Sequence, residues 1–195
     1  MTDSNSPSNR PPTGLASSSA DDGNTPSVGL SPAVSSPVRP AAGLKLVALD
    51  TVDLTILATH LQDAVVRVRD MAFIPKNRRF ALILNRFNWT KALEAASASS
   101  SSGKSPPFER RRCALRFEHV RKVRITGFSQ KDKRQVLSLM TMVFEQTREG
   151  EPDGTITLLF AGGGAIRLEV ECIEAELRDI GAGWRTAAKP EHPDD

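Results

Sequence analysis

The polar side chains best suited to acid–base chemistry are His60, Asp63, Asn85 and Asn88, which fall in two short stretches of the chain. A histidine, a carboxylate and two amides would form a small catalytic pocket if the fold brought them together. Taken singly, each is equally typical of a helix cap, a turn or a surface position. These four residues support the hypothesis of a small enzyme, but no residue is identified as catalytic.

Metal and cofactor motifs are missing from the sequence. None of the three histidines has a Cys, His or carboxylate partner at the spacing of a metal site. The glycine run at 162–164 is followed by an alternating strand pattern, without the helix and the Lys-Ser or Lys-Thr pair of a phosphate loop. We therefore expect a hairpin turn at these glycines, no metal and no cofactor.

Positive charge is concentrated in one segment. Residues 108–134 contain ten Lys or Arg and three acidic residues, a net charge of +7 in a chain of net charge +3. The two-residue period of strands directs four of these side chains away from the apolar faces: Arg112, Arg116, Lys122 and Arg124. Such a basic stripe could bind phosphates of nucleic acid or another polyanion. It is also typical of a solvated or protein-binding strand face, because Lys and Arg guard strands against mispairing.

Hydrophobic periodicity predicts the elements that hold these residues. An N-cap at Asp50 and the apolar spacing from Leu54 to Leu61 predict a helix. A two-residue period predicts about seven strands between 64 and 170, and helical spacing returns from Ile173 to Ile180. The predicted fold is α+β, a mostly antiparallel, strongly bent sheet or partly open barrel of about seven strands, with an N-terminal helix and a C-terminal capping helix.

Composition divides the chain into a tail and one domain. Residues 1–43 hold ten Ser, seven Pro and four Gly and predict a disordered tail. Residues 44–186 form the predicted domain, with a flexible insertion at 95–107 and a frayed terminus at 187–195. The longest apolar run is too short to span a membrane, and the first residues lack a secretory pattern. We expect a cytoplasmic protein without membrane contact.

Three strings resemble a bacterial family known as domain of unknown function 2948. They are HLQDAVVRVRDM from His60, RRFALILNRFNW ending at Trp89, and FAGGGAIRLEVECIEAELRDIG from Phe160. The resemblance extends over 44–184 apart from the 95–107 insertion. It implies a small cytoplasmic protein and transfers no activity, cofactor or functional residue. The matching positions nominate targets for mutation: Gln62, Asp63, Asn85, Arg86, Trp89 and the glycine hairpin.

The sequence thus favours a non-enzymatic binding or adaptor domain. Its partner would be another protein or a polyanion that contacts the basic stripe, and the sequence does not predict an oligomeric state. The alternative is the small enzyme built around His60, Asp63, Asn85 and Asn88.

Overall fold

A computed structural model of the protein describes residues 43–98, 108–187 and 190. The predicted tail at 1–43 lies outside the described residues except for Gly43, and so does most of the predicted 187–195 terminus. In the predicted insertion, residues 95–98 belong to a helix and 99–107 lie outside the described residues. The domain limits of 44–186 stay a prediction.

The described part of the chain forms two α-helices and ten β-strands. Helix α1 is Thr51–Leu61 and helix α2 is Trp89–Ala98; neither is long and apolar enough to cross a membrane. The strands are β1 (Lys45–Ala48), β2 (Ala64–Ile74), β3 (Arg79–Phe87), β4 (Phe108–Phe117), β5 (Val120–Thr126), β6 (Val136–Gln146), β7 (Gly154–Phe160), β8 (Ala165–Val170), β9 (Ala175–Asp179) and β10 (Trp184–Thr186).

All ten strands belong to one antiparallel sheet. The strand order is β1-β9-β4-β3-β2-β6-β7-β8-β5, and β10 pairs with the beginning of β4. The first and last strands of this order, β1 and β5, do not pair with each other, so the sheet is not closed. The α+β character and the antiparallel sheet agree with the sequence-based prediction.

A single hydrophobic core lies against one face of the sheet. Its members include Ala48 and Leu177 from one end of the strand order and Ile166 and Leu168 from the other end, all fully buried or nearly so. Strands so distant in the order can share one core only if the sheet curves around it. Helix α1 adds its own buried leucines to the same core.

The sequence correctly predicts helix α1. The Asp50 carboxylate accepts a hydrogen bond from the backbone N–H of Asp53 at 2.8 Å, which satisfies a donor that the first helical turn leaves unpaired. Strand β1 precedes this helix, however, so the helix is not the N-terminal element of the fold. The glycine hairpin is also confirmed, since β7 and β8 pair across it and Gly162 and Gly163 have φ angles of 82° and 83°.

The predicted C-terminal capping helix is wrong, because this segment forms strand β9. Its spacing fits a helix, but Ala175, Leu177 and Asp179 also alternate along a strand whose Ala175 and Leu177 lie in the core. β9 pairs with β1 on one side and β4 on the other, and a segment with two partners gains a full ladder of backbone hydrogen bonds. The strand count of about seven is likewise too low, because β1, β9 and β10 were not predicted.

A bulge in β2 shapes the surface on the far side of the sheet from the core. Val66 pairs with Leu84, but the next registered pair is Met71 with Leu82, so β2 carries extra residues at this point. These residues include Arg67 and Arg69, which are exposed. A bulge bends its strand and redirects side chains. Here the bulged residues line a polar cleft.

Candidate functional site

The bulge opens a cleft of about 280 Å³, which we call the arginine cleft. Strands β2, β3 and β4 and the first residue of β6 supply its lining. Its lining residues are Val65, Val66, Arg67, Arg69, Asp70, Ile83, Asn85, Arg112 and Val136.

Sheet register explains why the cleft is polar on one side. Asn85 pairs with Val65 of β2 on one edge of β3 and with Arg112 of β4 on the other. Directly paired residues place their side chains on the same face of a sheet, so these three form one row across it. The bulge then adds Arg67 and Arg69 from the neighbouring stretch of β2.

The charge in the arginine cleft is unbalanced. Arg69 lies 3.8 Å from Asp70, measured from Nε to Oδ1, which is a weak ion pair. Arg67 and Arg112 are both exposed and form no ion pair with any residue that the structure describes. Three guanidinium groups therefore share a concave surface with a single carboxylate. This arrangement suits an anionic group with several oxygen acceptors.

The four residues predicted to bind anions occupy two separate strands. Arg112 and Arg116 lie on β4, whereas Lys122 and Arg124 lie on β5 at the far end of the strand order. Arg116 is 2.5 Å from Glu176, and Arg124 is 2.8 Å from Glu169. Of the predicted set, Arg112 lines the arginine cleft.

A second polar cleft of about 230 Å³, the histidine cleft, lies beside the last turn of α1. It is lined by Leu44, His60, Arg86, Asn88, Thr90, Arg111 and Asp179. Arg86 donates to both oxygens of Asp179, and the backbone N–H of Leu44 donates to the same carboxylate at 3.0 Å. Burial and the positive charge of Arg86 lower the pKa of His60 and outweigh the opposing effect of Asp179, so its imidazole is neutral at pH 7.

Neither of these two polar clefts brings together all four residues of the enzyme hypothesis. His60 and Asn88 line the histidine cleft, and Asn85 lines the arginine cleft. Asp63 is buried beside α1, where its backbone N–H donates to Leu139 and its carbonyl accepts from Arg110 at 3.4 Å. Only two of the four thus share a cleft.

A carboxylate adjoins the histidine cleft. Glu109 accepts hydrogen bonds from Lys91 at 2.6 Å, Arg111 at 2.7 Å and Asn88 at 3.0 Å. Burial opposes its ionisation, but these hydrogen bonds outweigh burial and lower the pKa of Glu109 to about 2. Glu109 therefore holds Asn88 and Arg111 in place as a permanent anion at neutral pH.

Sequence reasoning missed two of the three cleft arginines. Arg67 and Arg69 alternate with Val66 and Val68, which marked them as outward-facing strand residues. Nothing in that alternation indicates the bulge that brings them beside Arg112. Their signal was charge on β2, which β3 separates from the outward-facing Arg112 of β4, and recognising it requires the pairing register of these three strands.

Metal binding and cysteine chemistry have little support in the described ranges 43–98 and 108–187. No group of three or more His, Cys, Asp or Glu side chains is arranged there to hold a metal ion. Cys113 is buried, and burial raises the pKa of its thiol to about 12. Burial also raises the pKa of Cys172. Both thiols are therefore protonated at neutral pH and weakly nucleophilic.

Comparison with protein families gives one match. The family described as Protein of unknown function (DUF2948) matches residues 44–192, which is most of the chain. Comparison with curated proteins finds no match, and comparison with solved structures finds none.

Proposed function

Starting from a chain that belongs to the DUF2948 family, we propose a non-enzymatic binding domain that holds an anionic group, in the first instance phosphate, in the arginine cleft. The observation that carries this proposal is the convergence of Arg67, Arg69 and Arg112 on one concave surface with Asp70 as its single carboxylate. Arg112 belongs to the basic stripe predicted from the sequence. The proposed binding surface is the cleft that Arg112 lines, and not the whole stripe.

The chemistry of the lining favours an oxyanion. Guanidinium groups present several N–H donors in a planar fork, which matches the oxygens of a phosphate or carboxylate. The side-chain amide of Asn85 adds donors between Arg112 and Val65 in the same row. Val65, Ile83 and Val136 form an apolar part of the wall, which lowers the local dielectric constant and strengthens each charge-assisted bond.

Further cations on the same face support a partner with more than one negative group. Arg178 pairs in register with Ala114 on one side and Lys45 on the other, one row from Arg112, and both basic side chains are exposed. A polyanion or an acidic protein surface could contact them while one of its groups occupies the cleft. This extended face is the basis for an adaptor role.

The alternative, a small enzyme, is supported by the histidine cleft. His60 is neutral at pH 7 and shares that cleft with Asn88, Thr90 and two arginines, so it could accept a proton from a bound substrate. The carboxylate of Asp179 is already engaged by Arg86 and Leu44. Turnover that disappears in His60→Gln and survives Arg112→Ala would favour this alternative.

Binding of the full-length chain to heparin, RNA and duplex DNA at several salt concentrations tests the proposal. Phosphate contacts predict a linear fall of log affinity with log salt concentration. The double variant Arg67→Ala/Arg112→Ala should bind more weakly and show a shallower slope. The control Lys76→Ala/Arg148→Ala removes the same two charges from exposed positions outside the cleft and should change little. Equal losses of affinity in both variants would show that binding depends on net charge alone. That result would contradict binding in the arginine cleft.

A further inference from the structure

A third cleft lies beside β5, the last strand of the sheet order. Strands β2 and β5 do not pair, yet both contribute side chains to a cavity of about 190 Å³, which we call the apolar cleft. Met71 and Phe73 come from β2 beyond the bulge, and Val123 and Ile125 come from β5. These four side chains pack against the core but are only half buried. They leave apolar surface facing an accessible cavity.

The outer wall of the apolar cleft is held firmly in place. Phe128 packs edge-on against Phe160, with ring centroids 6.0 Å apart. Gly127, just before it, has a φ angle of 77° and lies so close to the β7–β8 hairpin that a Cβ there would come within 2.6 Å of the Gly163 carbonyl oxygen. The chain after β5 is therefore packed against the hairpin.

The polar part of the lining carries one positive charge and no negative charge. Gln130 and Lys133 are the two polar residues of the lining, and both are exposed. Lys133 makes no ion pair with any residue in the described ranges. The remaining lining is aliphatic or aromatic: Val68, Met71, Phe73, Phe80, Val123, Ile125 and Phe128. A ligand for this cleft needs an apolar body and an anionic or hydrogen-bonding end.

Size limits the ligand further. Apolar cavities of about 150 Å³ bind molecules as small as benzene, whereas drug-sized ligands occupy about 300–1,000 Å³. A cavity of about 190 Å³ lies near the lower limit. It would hold one aromatic ring or a short alkyl chain, with the charged end at the rim.

From the shape, the lining and the charge, we infer that the apolar cleft binds a small apolar carboxylate, with its hydrocarbon between β2 and β5 and its carboxylate at Lys133. The site is separate from the arginine cleft, with which it shares no lining residue. It adds a second ligand class that does not depend on phosphate binding.

Three probes of matched shape test this inference on the full-length chain: 3-phenylpropanoate, 3-phenylpropanol and 3-phenylpropylamine. Binding is followed by the methyl NMR signals of Met71 and Ile125. We expect saturable shifts with affinity falling from carboxylate to alcohol to amine. Lys133→Gln should weaken the carboxylate about tenfold and leave the alcohol unchanged. Lys131→Gln, a neighbouring lysine outside the lining, should leave all three unchanged.

Val123→Phe fills the cleft and should abolish binding of all three probes while phosphate binding to the arginine cleft persists. A methyl NMR spectrum as well dispersed as that of the wild type shows that this variant is folded. If Val123→Phe does not fold, the comparison of Lys133→Gln with Lys131→Gln still tests the inference. Equal affinity of the three probes, equal effects of the two lysine variants, or unshifted Met71 and Ile125 signals would overturn the inference.

Discussion

Arg86 donates two hydrogen bonds to Asp179, from Nε to Oδ1 and from Nη2 to Oδ2, each 2.8 Å long. The residues lie on β3 and β9, which are not neighbours in the sheet, because β4 runs between them. Their side chains are 6% and 1% exposed. This bidentate pair therefore spans a strand on the core side of the sheet and forms part of the histidine cleft.

Asp179→Asn should destabilise the protein strongly. It leaves the Arg86 guanidinium buried without its counter-ion, which typically costs about 3–5 kcal/mol. The free energy of unfolding, measured by urea denaturation, should fall by that amount. The matched control is Asp153→Asn, whose partner Arg121 is 3.0 Å away in a solvent-accessible pair, so this variant should lose much less stability. Similar losses in the two variants would show that the Arg86–Asp179 pair has no special role.

Glu109 should make the protein sensitive to acid. Its pKa is about 2 in the folded state, below the ordinary value of 4.5, so its stabilising effect is complete above pH 4.5. That contribution is lost as the pH falls from about 4.5 towards 2, because the carboxylate then takes up a proton and releases Lys91 and Arg111.

Glu109→Gln should therefore flatten the dependence of the unfolding free energy on pH across this window and lower stability at pH 7. Glu149→Gln, in an exposed turn, serves as the control and should leave the profile unchanged. A wild-type slope retained in Glu109→Gln would assign the acid sensitivity to other groups.

The imidazole of His60 should titrate below its ordinary pKa of 6.5. Burial is the largest cause of the lowered pKa, and the positive charge of Arg86 lowers the pKa further. An NMR titration of the ring signals should place the midpoint below 6.5. In Arg86→Met/Asp179→Leu, which removes both charges, the midpoint should rise, because the larger of the two opposing charge effects is that of Arg86. A midpoint at or above 6.5 in the wild type would contradict this description of the cleft.

Periodicity accounts for much of this fold. The seven predicted strands correspond to β2 through β8, and the cap at Asp50 correctly marks α1. These elements have regular apolar spacing over six or more residues. Strands β1 and β10 contain four and three residues, too few for a period to emerge, and they are defined by their partners β9 and β4.

The polar sites were harder to predict because they depend on pairing. Arg86 continues the core-facing alternation of Phe80, Leu82 and Leu84, so a buried arginine could have been suspected. Its counter-ion Asp179 lies 93 positions away in a segment with helical spacing. The arginine cleft in turn depends on a bulge, which shifts the pairing register of two strands. The sequence of either strand alone shows no pattern that reveals such a shift.

Titration of the full-length chain with inorganic phosphate, followed by NMR, tests for an anion site in the arginine cleft. We expect saturable shifts of the Asn85 side-chain amide and of the Nε–H signals of Arg67 and Arg112, which line one cleft. The affinity should fall about tenfold in Arg112→Ala, as expected for one lost charge-assisted interaction, and stay unchanged in Arg148→Ala. Shifts that never saturate, that avoid these three residues, or that respond equally to both variants would contradict a phosphate site in the arginine cleft.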